Sequence, residues 1–183
     1  MGKIKYCLMA SIVFILMGCP SRSLFPLFIE NDSVFNPTLI GTWIDVHKNE
    51  GVLTFQKSEH NRYRIISHDL SESDTTIFEG QLGELGKSWF LDSYLAGEMH
   101  SEFVIPVHFI SRIRMNGDTL KYTTLNSDYL QKMLDDGQLQ TPHVIYDGDI
   151  LLTASTEQLQ ELVLHFTDDE KAFDKPVVLI RLK

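Results

Sequence analysis

The sequence predicts a mainly β protein, an antiparallel barrel of about eight to nine strands with two short helices. Three observations predict it. From Gly41 onward, short segments alternate apolar and polar residues with the period of two expected of half-buried strands. The pair Asn116-Gly117 separates two such segments and suits a two-residue hairpin turn. Two further stretches, opening at Ser127 and Ser155, repeat apolar residues at helical spacing behind residue types that cap helix N-termini.

Ahead of the strands, Lys3 and Lys5 make a short basic start and Tyr6 to Met17 form a mostly apolar run that closes on Leu16-Met17-Gly18-Cys19. The run is about a dozen residues long, whereas a spanning helix needs about 20, and Gly18 and Pro20 stop it. Met1-Gly2 is no myristoylation signal, because Tyr6 stands where that pattern wants Ser or Thr. The whole resembles the signal of bacterial lipoproteins. The resemblance implies that residues 1–18 are removed, that the Cys19 thiol carries lipid, and that the mature chain is anchored in the cell envelope. Pro20, in place of the Asp associated with inner-membrane retention in enteric bacteria, favours an outer membrane facing the periplasm in a Gram-negative cell. An ordinary secretory signal is the competing reading, and Cys19 separates the two.

Loss of Lys3 and Lys5 takes the formal charge from -9 to -11, and loss of Cys7 leaves Cys19 as the only cysteine. With its sulfur consumed by lipid, the mature chain has no disulfide, and it is long enough for one core without them. The acidic balance excludes nucleic acid as an expected partner and disfavours anionic membrane surfaces. Residues 19–38 read as a membrane-proximal tether and 39–183 as a single barrel domain. The tether is not a loose linker, since it holds Leu24, Phe25, Leu27, Phe28 and Ile29 around Pro26. Either it packs across the domain or it meets a partner or lipid.

The strand candidates, in order, are Gly41–Val46, Gly51–Gln56, Tyr63–Ile65, Thr76–Leu82, Ser88–Tyr94, Phe103–Met115, Thr119–Leu125, Asp149–Thr153 and Pro176–Leu182. A type I′ turn at Asn116-Gly117 sets Met115 opposite Asp118, Ile113 opposite Leu120, Ser111 opposite Tyr122 and Phe109 opposite Thr124. The other face of that hairpin, with Arg114, Arg112, Ile110, Lys121 and Thr123, reads as solvated. Ser127 caps a first helix that presents Tyr129, Leu130, Met133 and Leu134 and ends at Gly137. Ser155 and Gln158 form a capping box for a second, with Leu159, Leu162, Val163 and Phe166 facing the core and a stop near Thr167.

Gly41-Thr42-Trp43, just after Leu39 and at the opening of the first alternating strand, resembles the start of lipocalins and related calycin barrels. That resemblance implies a barrel closed at one end by Trp43 under an arginine from a late strand, for which Arg181 is the candidate. A cation over an indole is favourable by about 0.5–2 kcal/mol. Two features depart from the family. Ser127-Asp128-Tyr129 imitates its Thr-Asp-Tyr signature but opens a helix, and the Ser155 helix precedes the last strand instead of following it.

Catalytic motifs are missing from the sequence: it holds no G-x-S-x-G, S-x-x-K, P-loop or G-x-G-x-x-G. The seven histidines never fall in H-x-x-x-H spacing, so no metal or other cofactor is expected. Asp147-Gly148-Asp149 reads as a turn and not a calcium loop. Glu98, His100 and Glu102 would share a side if extended, against a plain polar loop, and His108 falls on the solvated face. Phe55, Tyr63, Phe78, Trp89, Phe103 and Phe109 are candidates to line a cavity, unless side chains fill the barrel. The expectation is a non-catalytic binding protein for a small apolar ligand. The alternative is a protein-interaction lipoprotein, either an assembly accessory in the envelope or an inhibitor of a basic hydrolase. An envelope hydrolase ranks below both.

Overall fold

The computed structural model describes residues 20–47, 51–70, 75–96 and 105–183. Cys19, Glu98, His100, Glu102 and Phe103 lie outside them. The described residues form β1 (Arg22–Ser23), β2 (Gly41–Asp45), β3 (Gly51–Lys57), β4 (Arg62–Asp69), β5 (Thr75–Leu85), β6 (Ser88–Ala96), β7 (His108–Asn116) and β8 (Thr119–Thr124). Then follow α1 (Ser127–Asp135), β9 (His143–Tyr146), β10 (Asp149–Leu152), α2 (Thr156–Phe166) and β11 (Val177–Arg181).

Strands β2 to β8 run as an antiparallel meander, and β11 inserts between β8 and β2 to close an eight-stranded, lipocalin-like barrel. Closure removes every free edge of the meander. Both helices precede the closing strand. β1, β9 and β10 make a small side sheet on the barrel wall. At its N-terminal end β7 is no longer paired with β8, and β1 takes the place, setting Arg22 opposite Phe109 and Ser23 opposite His108. β10 runs parallel to β1 and pairs antiparallel with β9.

Alternation along the strands sorts side chains into two cores. Inside the barrel lie Trp43, Phe55, Tyr63, Leu82, Leu120 and Leu179. Outside it, Phe90 and Ile110 on the wall meet Leu27 and Phe28 of the N-terminal segment, Leu130 of α1, and Leu159, Val163 and Phe166 of α2. The N-terminal segment therefore packs across the domain. Leu27 and Phe28 are buried while Phe25 and Ile29 stay exposed.

One end of the barrel is closed. The Arg181 guanidinium lies 4.1 Å over the Trp43 ring, donates to the carbonyls of Ile40 (2.6 Å) and Thr38, and sits 3.5 Å from Asp118. The indole Nε1 donates to the Leu39 carbonyl at 3.0 Å. Gly41 is required there: its φ is +129°, and a Cβ would stand 2.6 Å from Arg181 Nη1.

Three sequence expectations are corrected. The β7–β8 turn is centred one residue later, on Gly117-Asp118, so Asn116 faces Thr119, Met115 faces Leu120 and Ile113 faces Tyr122. Only Gly117 of the two takes positive φ (+57°), as when glycine leads a type II′ turn. The change moves each pairing by two residues, so the inward set of side chains is preserved.

The outward face of that hairpin is solvated only toward its turn, where Arg114 and Lys121 are exposed, and is covered farther along. Ile110 is buried, and so is Arg112 at 2% exposure, donating to the Thr167 carbonyl (3.0 Å) and Glu170 Oε2 (2.8 Å) with its guanidinium 4.2 Å over Phe173. The residues around the end of α2 cover it. Finally, Asn126 and not Ser127 caps α1, its Oδ1 accepting from the Tyr129 N–H at 2.7 Å. Ser155 and Gln158 do form the capping box of α2.

Candidate functional site

Among the described residues two concavities stand out, one inside the barrel and one on its outer wall. Inside, Leu53, Phe55, Ile65, Phe78, Leu91 and Phe109 wall a cavity of about 60 Å³. A water occupies about 30 Å³ of liquid and a benzene-binding cavity about 150 Å³, so this space admits the tip of a ligand only. Its polar groups are the hydroxyls of Ser67, Ser93, Ser111 and Tyr122. Burial, with Asp45 nearby, holds the Tyr122 hydroxyl well above the usual tyrosine range, so it remains a neutral donor.

Of the aromatic residues expected to line a cavity, Phe55, Phe78 and Phe109 do so. Tyr63 and Trp89 do not. Tyr63 packs between Phe35, stacked at 5.4 Å, and Phe55, edge-on at 6.3 Å. Its hydroxyl donates to the Asn36 carbonyl (3.2 Å) and accepts from the Asn36 N–H (2.6 Å). Trp89 packs against the inner core without reaching the cavity.

The larger space, about 260 Å³, lies outside the barrel beneath the N-terminal segment. Pro26, Phe28 and Ile29 roof it, and Arg62, Gln81, Asp92, Tyr94 and His108 line its floor, with Glu30 at the edge. These floor residues are outward-facing positions of four adjacent strands, β4 to β7, which the antiparallel register brings side by side. Asp92 organises them. It is 2% exposed, accepts the Leu27 N–H on Oδ2 and meets His108 Nδ1 with Oδ1, each at 2.8 Å. A carboxylate accepts only, so Nδ1 carries the proton of that bond and Nε2 is the nitrogen left for a ligand. The His108 side chain is 13% exposed and packs against Tyr94 with ring centres 5.3 Å apart.

Arg62 is placed by a second polar relay. Gln81, with its amide nitrogen toward the segment, donates to the Phe28 carbonyl at 2.8 Å and accepts from Arg62 Nε at 3.0 Å. Arg62 makes no ion pair with a described residue. The pocket therefore joins apolar walls to a guanidinium and a carboxylate-oriented imidazole, the composition of a small-molecule site. Among the described residues no three His, Cys, Asp or Glu side chains converge as metal ligands.

The sequence reading placed His108 on a solvated face and did not single out Arg62, Gln81 or Asp92. A signal was present in Phe90-Leu91-Asp92-Ser93-Tyr94, where Asp92 sits between two aromatic residues on the outward parity. A solvated wall has no use for aromatic residues on both sides of an acid. Comparison of the chain with protein-family models, with curated proteins and with solved structures returned no match.

Proposed function

We propose that this protein is a lipid-anchored component of the bacterial cell envelope, held through Cys19, with a non-catalytic role in binding a small and mostly apolar molecule. The observation that carries the ligand reading is the outer pocket. It holds about 260 Å³, and Asp92 fixes His108 at its wall. Arg62 and His108 Nε2 suit a ligand with an anionic end, and Pro26, Phe28 and Ile29 suit an apolar body.

The test is calorimetric titration with phenylacetate and with its uncharged amide. The acid should bind more tightly than the amide. A charged hydrogen bond contributes about 1.5–3 kcal/mol, so Arg62→Gln or His108→Gln should each weaken the acid about 10- to 100-fold. Equal binding of both probes, unchanged in both variants, would remove this assignment. For the anchor, Cys19→Ser should leave the signal unprocessed by the lipoprotein peptidase and release the protein from membranes.

A second reading, an interaction module for an envelope protein, is favoured by the nearly filled barrel. It predicts one specific neighbour in envelope cross-linking, with a complex that salt weakens if acidic charge draws the partner in.

A further inference from the structure

We propose that the hairpin β9–β10 rests on the surface of a zwitterionic lipid bilayer and sets how the domain stands there. The inference depends on lipid attachment at Cys19. It goes beyond it by naming the protein surface that the membrane covers.

The fold begins one residue after Cys19. Pro20 already bridges Asn126, the Ser21 N–H donates to the Leu125 carbonyl at 3.1 Å, and the side chains of Ser21 and Ser23 are buried. One residue spans at most about 3.6 Å, so a lipid on Cys19 has no slack with which to hold the domain away from the headgroups. Whatever lies beside β1 must lie at the membrane.

On one side of β1 is β7 of the barrel wall, and on the other, facing away from the barrel, are β10 and β9. Arg22 faces Leu151 of β10, and Leu151 faces Val144 of β9, which places β9 two strand spacings, roughly 10 Å, from the entry of the chain. The Arg22 guanidinium fastens the arrangement on Asp149 at 2.6 Å. β9 is the outermost strand of this sheet, and three consecutive apolar residues on it are exposed: Val144 at 47%, Ile145 at 54% and Tyr146 at 65%. Successive side chains point to opposite faces, so among the described residues both faces of the strand are exposed and one backbone edge is unpaired.

Such an edge in water invites strand addition by another chain, and proteins ordinarily blunt it with charge, proline or cover. Residues 143–146 carry neither Lys, Arg nor Pro, and the adjoining turn closes tightly with Asp147 and Gly148 both at positive φ. A headgroup layer is cover of the right kind: it takes apolar side chains on one side and solvates backbone groups on the other, and tyrosine is a favoured residue there. Arg22 is spent on Asp149, and Asp147 adds negative charge. Anionic lipid is thus disfavoured and zwitterionic lipid is the matching surface.

The test uses the full lipidated protein in phosphatidylcholine vesicles. The mature chain has no cysteine but Cys19, so Ile145→Cys, Tyr146→Cys and, at the far closed end of the barrel, Leu182→Cys can each carry an NBD label. With doxyl lipid in the vesicles, quenching at 145 and 146 should exceed quenching at 182 several-fold. Equal quenching at the three positions, with the protein still sedimenting with vesicles, would overturn the inference and leave the anchor standing. Failure of the unaltered protein to sediment would overturn the anchor and this inference together. A concentration-dependent shift at 145 without vesicles would instead place a second copy on the edge, and efficient photocross-linking from 145 to an envelope protein would place a protein strand there; either overturns the proposal.

Discussion

Gly83→Ala tests whether the N-terminal segment is a fixed part of the fold. A Cβ at Gly83 would stand 2.4 Å from Cε1 and 2.6 Å from Cδ1 and Cζ of Phe28, where carbon atoms prefer about 3.5–4.0 Å. The ring must move by about 1 Å or more to restore that spacing. It has nowhere easy to go, since Phe28 is buried, its carbonyl accepts from Gln81, and Leu27 beside it donates to Asp92. Overpacking of this kind costs about 1–3 kcal/mol. Alanine recovers roughly 0.5–1 kcal/mol through its lower unfolded-state entropy in a strand, so a net loss centred near 1 kcal/mol is expected.

Thermal denaturation followed by circular dichroism should show this as a drop of about 2–4 °C per kcal/mol. Phe28→Ala alone should cost more, about 3–5 kcal/mol, because it empties a buried site. The double variant should be less damaged than the sum of the two, with a coupling of about 1 kcal/mol, since the clash partner is gone. A Gly83→Ala protein as stable as the parent, or more so, would mean that Phe28 does not sit on Gly83 and that the roof of the outer pocket is misplaced.

Trp43→Ala should cost about 3–5 kcal/mol in chemical denaturation. Arg181→Lys should cost less, about 1–2 kcal/mol, as it gives up one of two carbonyl contacts and part of the cation–π contact. Asp92→Asn should alter the His108 ring signals in NMR and loosen the Leu27 amide to hydrogen exchange; if only one of the two responds, the carboxylate does not link them.

Acid stability should carry two opposite signatures. Burial raises the pKa of Glu170, but Arg114 and Arg112 outweigh it and hold the carboxyl below its usual range. Its contribution is thus present above the ordinary glutamate value and lost as pH falls through the folded one. Glu170→Gln should flatten that part of the curve by no more than about 1 kcal/mol, because the carboxylate is largely exposed. For Asp174, burial raises the pKa against hydrogen bonds from Thr124 and Asn126, with Asp128 adding to the rise. Its contribution is full below the ordinary aspartate value and is lost as pH rises through the folded one, so Asp174→Asn should relieve the loss on the high-pH side of that transition.

Much of the barrel was legible in the sequence because one physical pattern, alternation, marks each strand independently. The closed end was legible for a different reason: Gly41, Trp43 and Arg181 each have a shape or charge that few other roles explain. The β7–β8 register was not, because sliding one strand by two residues keeps Ile113, Met115, Leu120 and Tyr122 facing inward, and only turn geometry distinguishes the alternatives. The favoured Asp-Gly pair does make a tight hairpin at Asp147-Gly148, yet β9, four residues long and bare on both faces, has no alternation to betray it.

The outer pocket was missed because the outward barrel face was read as meeting water along its whole length, whereas much of it is covered. Trp89-Phe90-Leu91 and Phe109-Ile110 are apolar on both parities, which means a wall covered on both sides. The two amphipathic helices and the apolar N-terminal segment needed such a wall, and once they are laid on it Asp92 and His108 are no longer surface residues.

The position of β11 in the chain has a consequence for the order of folding. Arg181 pairs with Trp43 and Val177 with Tyr122, so the strand that completes the ring joins partners far apart in sequence. Until residues 177–181 arrive, β2 and β8 are two raw edges and the meander is an open, strongly twisted sheet. Long-range closure of this kind is slow compared with hairpin formation. A chain that becomes available from its N-terminus would therefore remain unable to finish its barrel until residues 177–181 were present, while β3 to β7 could already be paired.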